Sequence, residues 1–126
     1  LKSVKIVLSG VGAAGNATYQ TGLAIVGNTI GSNIAAEKIG FNGIFVSNND
    51  NPNISNNSIF NITVSSGLNV SGIQIAAGVI NGTINSNRIN NIKSTSTSGY
   101  GAYGIQLNTV GANSNILISN NFYYKK

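Results

Sequence analysis

The chain has 126 residues, 41% of them apolar and only 7% charged, with a net charge of +5. Glu37 and Asp50 are its only acids, and it contains no His, Cys, Met or Trp. This composition excludes disulfides, thiolate zinc sites, thiol nucleophiles and Ser–His–Asp catalysis within these residues. It also leaves too few carboxylates for the clustered ligand set of a calcium site.

The positive charge reflects scarce acids. Lys2, Lys5, Lys38, Arg88, Lys93, Lys125 and Lys126 are dispersed, with only the last two adjacent. No basic stripe with interleaved aromatics forms, so nucleic acid is not an expected partner. No apolar run approaches the roughly 18 residues of a membrane span, so no membrane insertion is expected. The chain starts at Leu1 without an initiator Met, and reads as a processed protein or a piece of a longer one.

In chain order, Val4-Lys5-Ile6-Val7-Leu8 reads as a first strand and Gly10 to Gly22 as an inserted loop. Gly10, Gly12 and Gly15 match the spacing Gly-x-Gly-x-x-Gly. A dinucleotide site needs an amphipathic helix next and an acid about 20 residues on. Asn16 to Gly22 followed by β-like Leu23 to Val26 offers neither, so no cofactor is expected. Residues 1–22 are thus a strand plus a Gly-rich loop, and 23–126 are regular rungs of one domain.

The rungs announce themselves by self-similarity. Gly43-Ile44-Phe45-Val46, Gly72-Ile73-Gln74-Ile75 and Gly104-Ile105-Gln106-Leu107 are three copies of one segment. Each is followed by an apolar residue three positions before an Asn: Ile54 and Asn57, Ile84 and Asn87, Ile118 and Asn121. An earlier copy pairs Ile25 with Asn28. Another Ile follows three residues on in two copies, at Ile62 and Ile92. Alternating apolar residues in short runs separated by Gly, Asn and Ser predict β-strands with one buried face. One rung of about 30 residues cannot bury that face alone, so successive rungs must stack. The prediction is an all-β solenoid of about four rungs. At one corner Asn28, Asn57, Asn87 and Asn121 form a structural ladder, each amide bonding to the next.

Length differences between rungs map to loops, of which Ser94 to Gly101 is the most polar. Tyr100 and Tyr103, assigned to that loop, are the candidates for glycan contact, since exposed rings pack on sugar faces. In Phe122-Tyr123-Tyr124, Tyr123 falls in the isoleucine slot of the repeat. Sequons at Asn16, Asn53, Asn56, Asn61, Asn69 and Asn81 carry little weight, because 22 Asn would give roughly four by chance. Thr residues are too irregular for an ice-binding face; Thr95 and Thr97 are the only close pair. No helix or polar end cap flanks the rungs, so the chain reads as a segment of a longer solenoid or as one capped by another chain or domain.

The Gly-Ile-x-Ile segment followed by Ile-x-x-Asn-x-Ile resembles the right-handed parallel β-helix repeat of the pectate-lyase-like superfamily, from Leu23 onward. That superfamily includes polysaccharide lyases, glycoside hydrolases, phage tailspikes and secreted bacterial adhesins. The Asn-, Ile-, Ser- and Gly-rich texture is most similar to repeats of large secreted bacterial surface proteins, some exported by the type IX pathway. The lyases hold calcium with clustered acids and use Arg or Lys as base, whereas the hydrolases use paired carboxylates. Here Glu37 and Asp50 fall on different walls of a rung, and Arg88, the only Arg, faces outward beside Asn87. No catalytic, cofactor-binding or metal residue is therefore expected. The resemblance implies a non-catalytic structural or adhesive module of an extracellular or cell-surface bacterial protein. Its partners would be a surface glycan or other proteins, such as secretion machinery or the rest of a longer chain. The alternative is the non-catalytic portion of a polysaccharide lyase or glycoside hydrolase whose active site lies outside these residues.

Overall fold

Runs of Ile and Val alternating with Asn, Ser, Thr and Gly form the strands. The computed structural model describes residues 6–9, 20–108, 111 and 113–124. In chain order the strands are β1 (Ile6–Ser9), β2 (Gln20–Thr21), β3 (Ala24–Val26), β4 (Thr29–Ile30), β5 (Asn42–Ser47), β6 (Asn49–Asp50) and β7 (Asn53–Ser55). They continue as β8 (Ser58–Val64), β9 (Val70–Ile75), β10 (Thr83–Asn85), β11 (Arg88–Ser94), β12 (Ala102–Leu107), β13 (Leu117–Ser119) and β14 (Phe122–Tyr124). A short 3₁₀ turn, Ala35–Glu37, lies between β4 and β5.

All strand pairings are parallel. The first sheet is β1-β5-β9-β12, the second β3-β7-β10-β13 and the third β4-β8-β11-β14. The chain visits each sheet once per circuit, which makes a β-solenoid four layers deep in about three turns. The expected count of four rungs corresponds to these layers. The complete turns are fewer because a stack of four layers has three intervals.

Two expectations at the start of the chain are refined. Val4 and Lys5 lie outside the described residues, while Ile6 to Ser9 pair with Ile44 to Ser47 as a true first layer. Residues 10–19, with most of the expected loop and the Gly-x-Gly-x-x-Gly run, also lie outside them. Gln20 and Thr21, expected in that loop, instead pair with Asn49 and Asp50. Gly22, at φ 66°, then turns the chain while its N–H donates to the Asp50 carbonyl at 3.0 Å.

The register places like on like. Ile25, Ile54, Ile84 and Ile118 form one column, and Ile30, Ile59, Ile89 and Tyr123 another, so Tyr123 does occupy the isoleucine slot. Ile44, Ile73 and Ile105 form a third, with Ile62 over Ile92 closing the triangle. Layers about 4.8 Å apart leave no gap between stacked side chains. Ile44, Ile54, Ile59, Ile62 and Ile73 are completely buried, each stabilising the fold by about 1.5–3 kcal/mol relative to exposure.

The corners explain why Asn is so abundant. Among the described residues ten non-glycine residues have left-handed backbone, and all but Ser86 are Asn. Asn tolerates that conformation because its short amide bonds locally. The residue before each ladder Asn is left-handed in every layer: Gly27, Asn56, Ser86 and Asn120. Ser is the poorest fit of the four. Replacing Ser86 by Asn should therefore raise stability by about 0.5–1 kcal/mol. The check is a higher urea midpoint with an unchanged denaturant slope.

Candidate binding face

Asn28, Asn57, Asn87 and Asn121 form a continuous ladder where the second sheet meets the third. Nδ2 of Asn28 donates to Oδ1 of Asn57 at 3.0 Å, Asn57 to Asn87 at 2.9 Å, and Asn87 to Asn121 at 2.8 Å. The same oxygens accept the backbone N–H of the preceding ladder residue, at 2.9, 3.0 and 3.0 Å. The second Nδ2 hydrogen of Asn57, Asn87 and Asn121 goes to the carbonyl of Ile25, Ile54 and Ile84 respectively. Each interior amide thus fills both acceptor and both donor positions. That is why Asn57 and Asn87 can be buried at 1% and 0% exposure.

Shorter polar stacks reinforce other corners. Asn91 donates to Asn61 at 2.6 Å and Asn61 to Asn33 at 2.8 Å. Asn115 donates to Asn81 at 3.1 Å and Asn81 to Asp50 at 2.8 Å. Within the first sheet, Asn42 Nδ2 donates to Gln74 Oε1 at 2.7 Å, while Asn42 Oδ1 accepts the Ser71 hydroxyl at 2.8 Å. All three are buried. Asn49 is fully buried too; its amide donates to the Ser47 carbonyl, but its Oδ1 has no partner among the described residues.

The titratable groups do not converge. Glu37 sits in the 3₁₀ turn and accepts the Ser32 hydroxyl at 3.2 Å, whereas Asp50 is in β6 and accepts from Asn81. Arg88 opens β11, exposed, between Ser58 and Phe122 of the adjoining layers. Among the described residues no group of three or more His, Cys, Asp or Glu could hold a metal. No helix among them is long and apolar enough to cross a membrane.

The outer face of the second sheet is different. Ile54 and Ile84 point inward, so their neighbours point out: Asn53 over Thr83, and Ser55 over Asn85. With Asn51 and Asn56 they line an open groove of about 520 Å³. Asn85 Oδ1 is engaged by Ser86 Oγ at 3.0 Å and Asn120 Nδ2 at 3.2 Å. The side chains of Asn51, Asn53, Asn56 and Thr83 make no hydrogen bond within the described chain. The groove is neutral and presents both donors and acceptors.

Tyr100 and Tyr103 lie elsewhere. Tyr100 is 44% exposed at the end of the long loop, its ring passing over Gly67, where a Cβ would lie 3.2 Å from Cε2. Tyr103 is 40% exposed but is not in the loop: it belongs to β12, opposite Ser71. Only two of its neighbours, Tyr100 and Gly101, fall before the strand starts at Ala102, because pairing with Val70 begins there. The structure does not bring the tyrosines to the groove, which belongs to a different sheet. The groove was latent in the alternation Asn53-Ile54-Ser55 and Thr83-Ile84-Asn85, in which polar residues flank each core Ile.

Parallel coils stacked in register around an isoleucine core, with amides bonded layer to layer at a corner, define a β-solenoid repeat protein. No family model, no curated protein and no solved structure matches the chain.

Proposed function

We propose that the chain is a non-catalytic structural and adhesive module of a secreted or cell-surface bacterial protein. In this reading it is a right-handed parallel β-helix of the pectate-lyase-like superfamily, exported by the type IX pathway, that displays a neutral polar face to surface glycans. The observation that carries it is the groove on the second sheet, lined by Asn51, Asn53, Ser55, Asn56, Thr83 and Asn85 without a charged group. Sugar hydroxyls both donate and accept, and an uncommitted amide answers both from one side chain. Tyr100 and Tyr103 supply exposed rings for a second contact, as the apolar face of a sugar requires.

The test is calorimetric titration with neutral and acidic polysaccharides. A neutral glycan is expected to bind, and the double variant Asn53→Ala/Thr83→Ala to weaken it at least about tenfold, with the melting temperature within a few degrees of the parent. Each lost uncommitted hydrogen bond removes on the order of 1 kcal/mol, and two approach the 1.4 kcal/mol of a tenfold change. Tyr100→Ala and Tyr103→Ala report separately on the second contact. Binding only to acidic polysaccharides, lost steeply with added salt, would instead assign affinity to the seven basic residues.

A further inference from the structure

Asn-Gly occurs twice in the chain, at Asn42-Gly43 and Asn81-Gly82. The dipeptide carries its own chemistry. Glycine has no Cβ to shield its backbone nitrogen or to restrict rotation, so that nitrogen can reach the side-chain carbonyl carbon of the preceding Asn. The fold treats the two copies in opposite ways.

Asn42 is 1% exposed and lies in β5. Its Nδ2 donates to Gln74 Oε1 at 2.7 Å, and its Oδ1 accepts the Ser71 N–H and hydroxyl at 3.2 and 2.8 Å. Gly43 continues the same strand, packed against the Gly72 carbonyl and Ile59. Reaction at Asn42 therefore requires the first sheet to open. Asn81 is exposed at a corner outside the strands, with left-handed backbone at φ 53°, and Gly82 follows before β10 begins at Thr83. Its side chain is held only by two exposed bonds, from its Nδ2 to Asp50 Oδ1 at 2.8 Å and from Asn115 Nδ2 to its Oδ1 at 3.1 Å. Exposed bonds of this kind exchange readily with water, so this corner can open while the sheets stay paired.

We propose that Asn81 is a modification site, at which the chain converts its own asparagine into aspartate and isoaspartate. The Gly82 nitrogen, giving its proton to solvent, attacks Asn81 Cγ. A new C–N bond closes a cyclic imide as the Cγ–Nδ2 bond breaks and ammonia leaves. Water then opens the imide at either carbonyl. Opening at Cγ leaves aspartate, and opening at the backbone carbonyl leaves isoaspartate, with the chain running through Cγ. Amide and water thus give carboxylate and ammonium, without oxidant or reductant.

The neighbours make the change consequential. Asn81 Nδ2 is the donor to Asp50. An oxygen in its place sets one carboxylate against another, and like charges at that distance disfavour each other. The isoaspartyl product also lengthens the backbone between the Asn81 N–H, which donates to the Ser114 carbonyl at 2.7 Å, and the Thr83 N–H, which donates to the Pro52 carbonyl at 2.8 Å. The modified corner loses its bond to the Asp50 layer, while Asn115 can still donate to the new carboxylate.

The test is incubation of the native chain in mildly alkaline buffer, followed by peptide mass spectrometry and enzymatic methylation specific for isoaspartate. Acid at position 81 should accumulate at least about 100-fold faster than at position 42, as a mixture of aspartate and isoaspartate. In concentrated urea the two Asn-Gly pairs should react at similar rates, because the fold no longer separates them. Equal rates in the native chain, or reaction at Asn81 no faster than at exposed Asn53, which precedes Ile54, would overturn the proposal.

Melting temperatures read the consequence. Asn81→Asp should melt about 2–4 °C below the parent at neutral pH and low salt. The double variant Asp50→Asn/Asn81→Asp should recover most of that loss, since an amide then stands opposite the carboxylate and donates to it. An Asn81→Asp chain that melts with the parent, or a double variant that falls as far as the single one, would overturn the claim that the product carboxylate acts through Asp50.

Discussion

Asn87→Ala is expected to lower the unfolding free energy by about 3 kcal/mol or more. The substitution removes one oxygen and strands two donors, the Asn57 backbone N–H and its Nδ2. It also withdraws the donor from the Ile54 carbonyl and from Asn121 Oδ1. Each buried donor or acceptor left unsatisfied costs about 1–3 kcal/mol, so the sum exceeds the net worth of the bonds themselves. Asn53→Ala, on the exposed outer face one layer away, loses no intramolecular bond and should change stability by less than about 0.5 kcal/mol. Equilibrium urea unfolding of both variants gives the comparison. Similar losses at Asn53 and Asn87 would mean that the ladder amides are not buried and satisfied as described.

Gly72→Ala is expected to cost about 2–3 kcal/mol for the opposite reason, too much matter rather than too little. A Cβ there would lie 2.6 Å from Ile89 Cγ2 and 2.7 Å from the Gly104 carbonyl oxygen. The obstacle is backbone on one side and a buried β-branched side chain on the other, and neither can move aside. Overpacking of this kind typically costs 1–3 kcal/mol. The same crowding recurs at Gly43, against Ile59, and at Gly104, against Tyr123. The repeated glycine is therefore a spacing requirement between the first and third sheets. Gly40→Ala is the control: nothing lies within 4 Å of its Cβ position, and restricting the unfolded chain should leave stability unchanged or about 0.4–1 kcal/mol higher. Thermal melts of the two variants should separate clearly, with only Gly72→Ala falling.

The columns of this fold were legible because one physical demand repeats in every layer. An inward position must be apolar in each coil, so Ile54, Ile84 and Ile118 recur at a fixed offset from Asn57, Asn87 and Asn121. The ladder was legible for the same reason: a buried amide is tolerable only if its neighbours above and below are amides. Its full bonding was not, because the Ile25, Ile54 and Ile84 carbonyls and the backbone N–H groups leave no mark on side-chain identity. The Asn42–Ser71–Gln74 cluster was hidden because each layer contributes a different residue type. The stack of Asn33, Asn61 and Asn91 lay inside strand-like runs, where only the left-handed backbone of Asn61 and Asn91 reveals a corner. Tyr103 was misplaced by its Gly-rich surroundings, since pairing with Ser71 draws it into β12. The outer groove depends on residues that no core requirement constrains, so its position followed only once strand register was known.

Hydrogen exchange of the asparagine side-chain amides, followed by NMR, tests the ladder directly. The Nδ2 hydrogens of Asn57 and Asn87 should exchange only when the solenoid opens, at least about a thousandfold more slowly than those of Asn53 and Asn56 in the groove. Exchange of Asn57 and Asn87 at the rate of the groove amides would contradict a buried, layer-to-layer amide ladder.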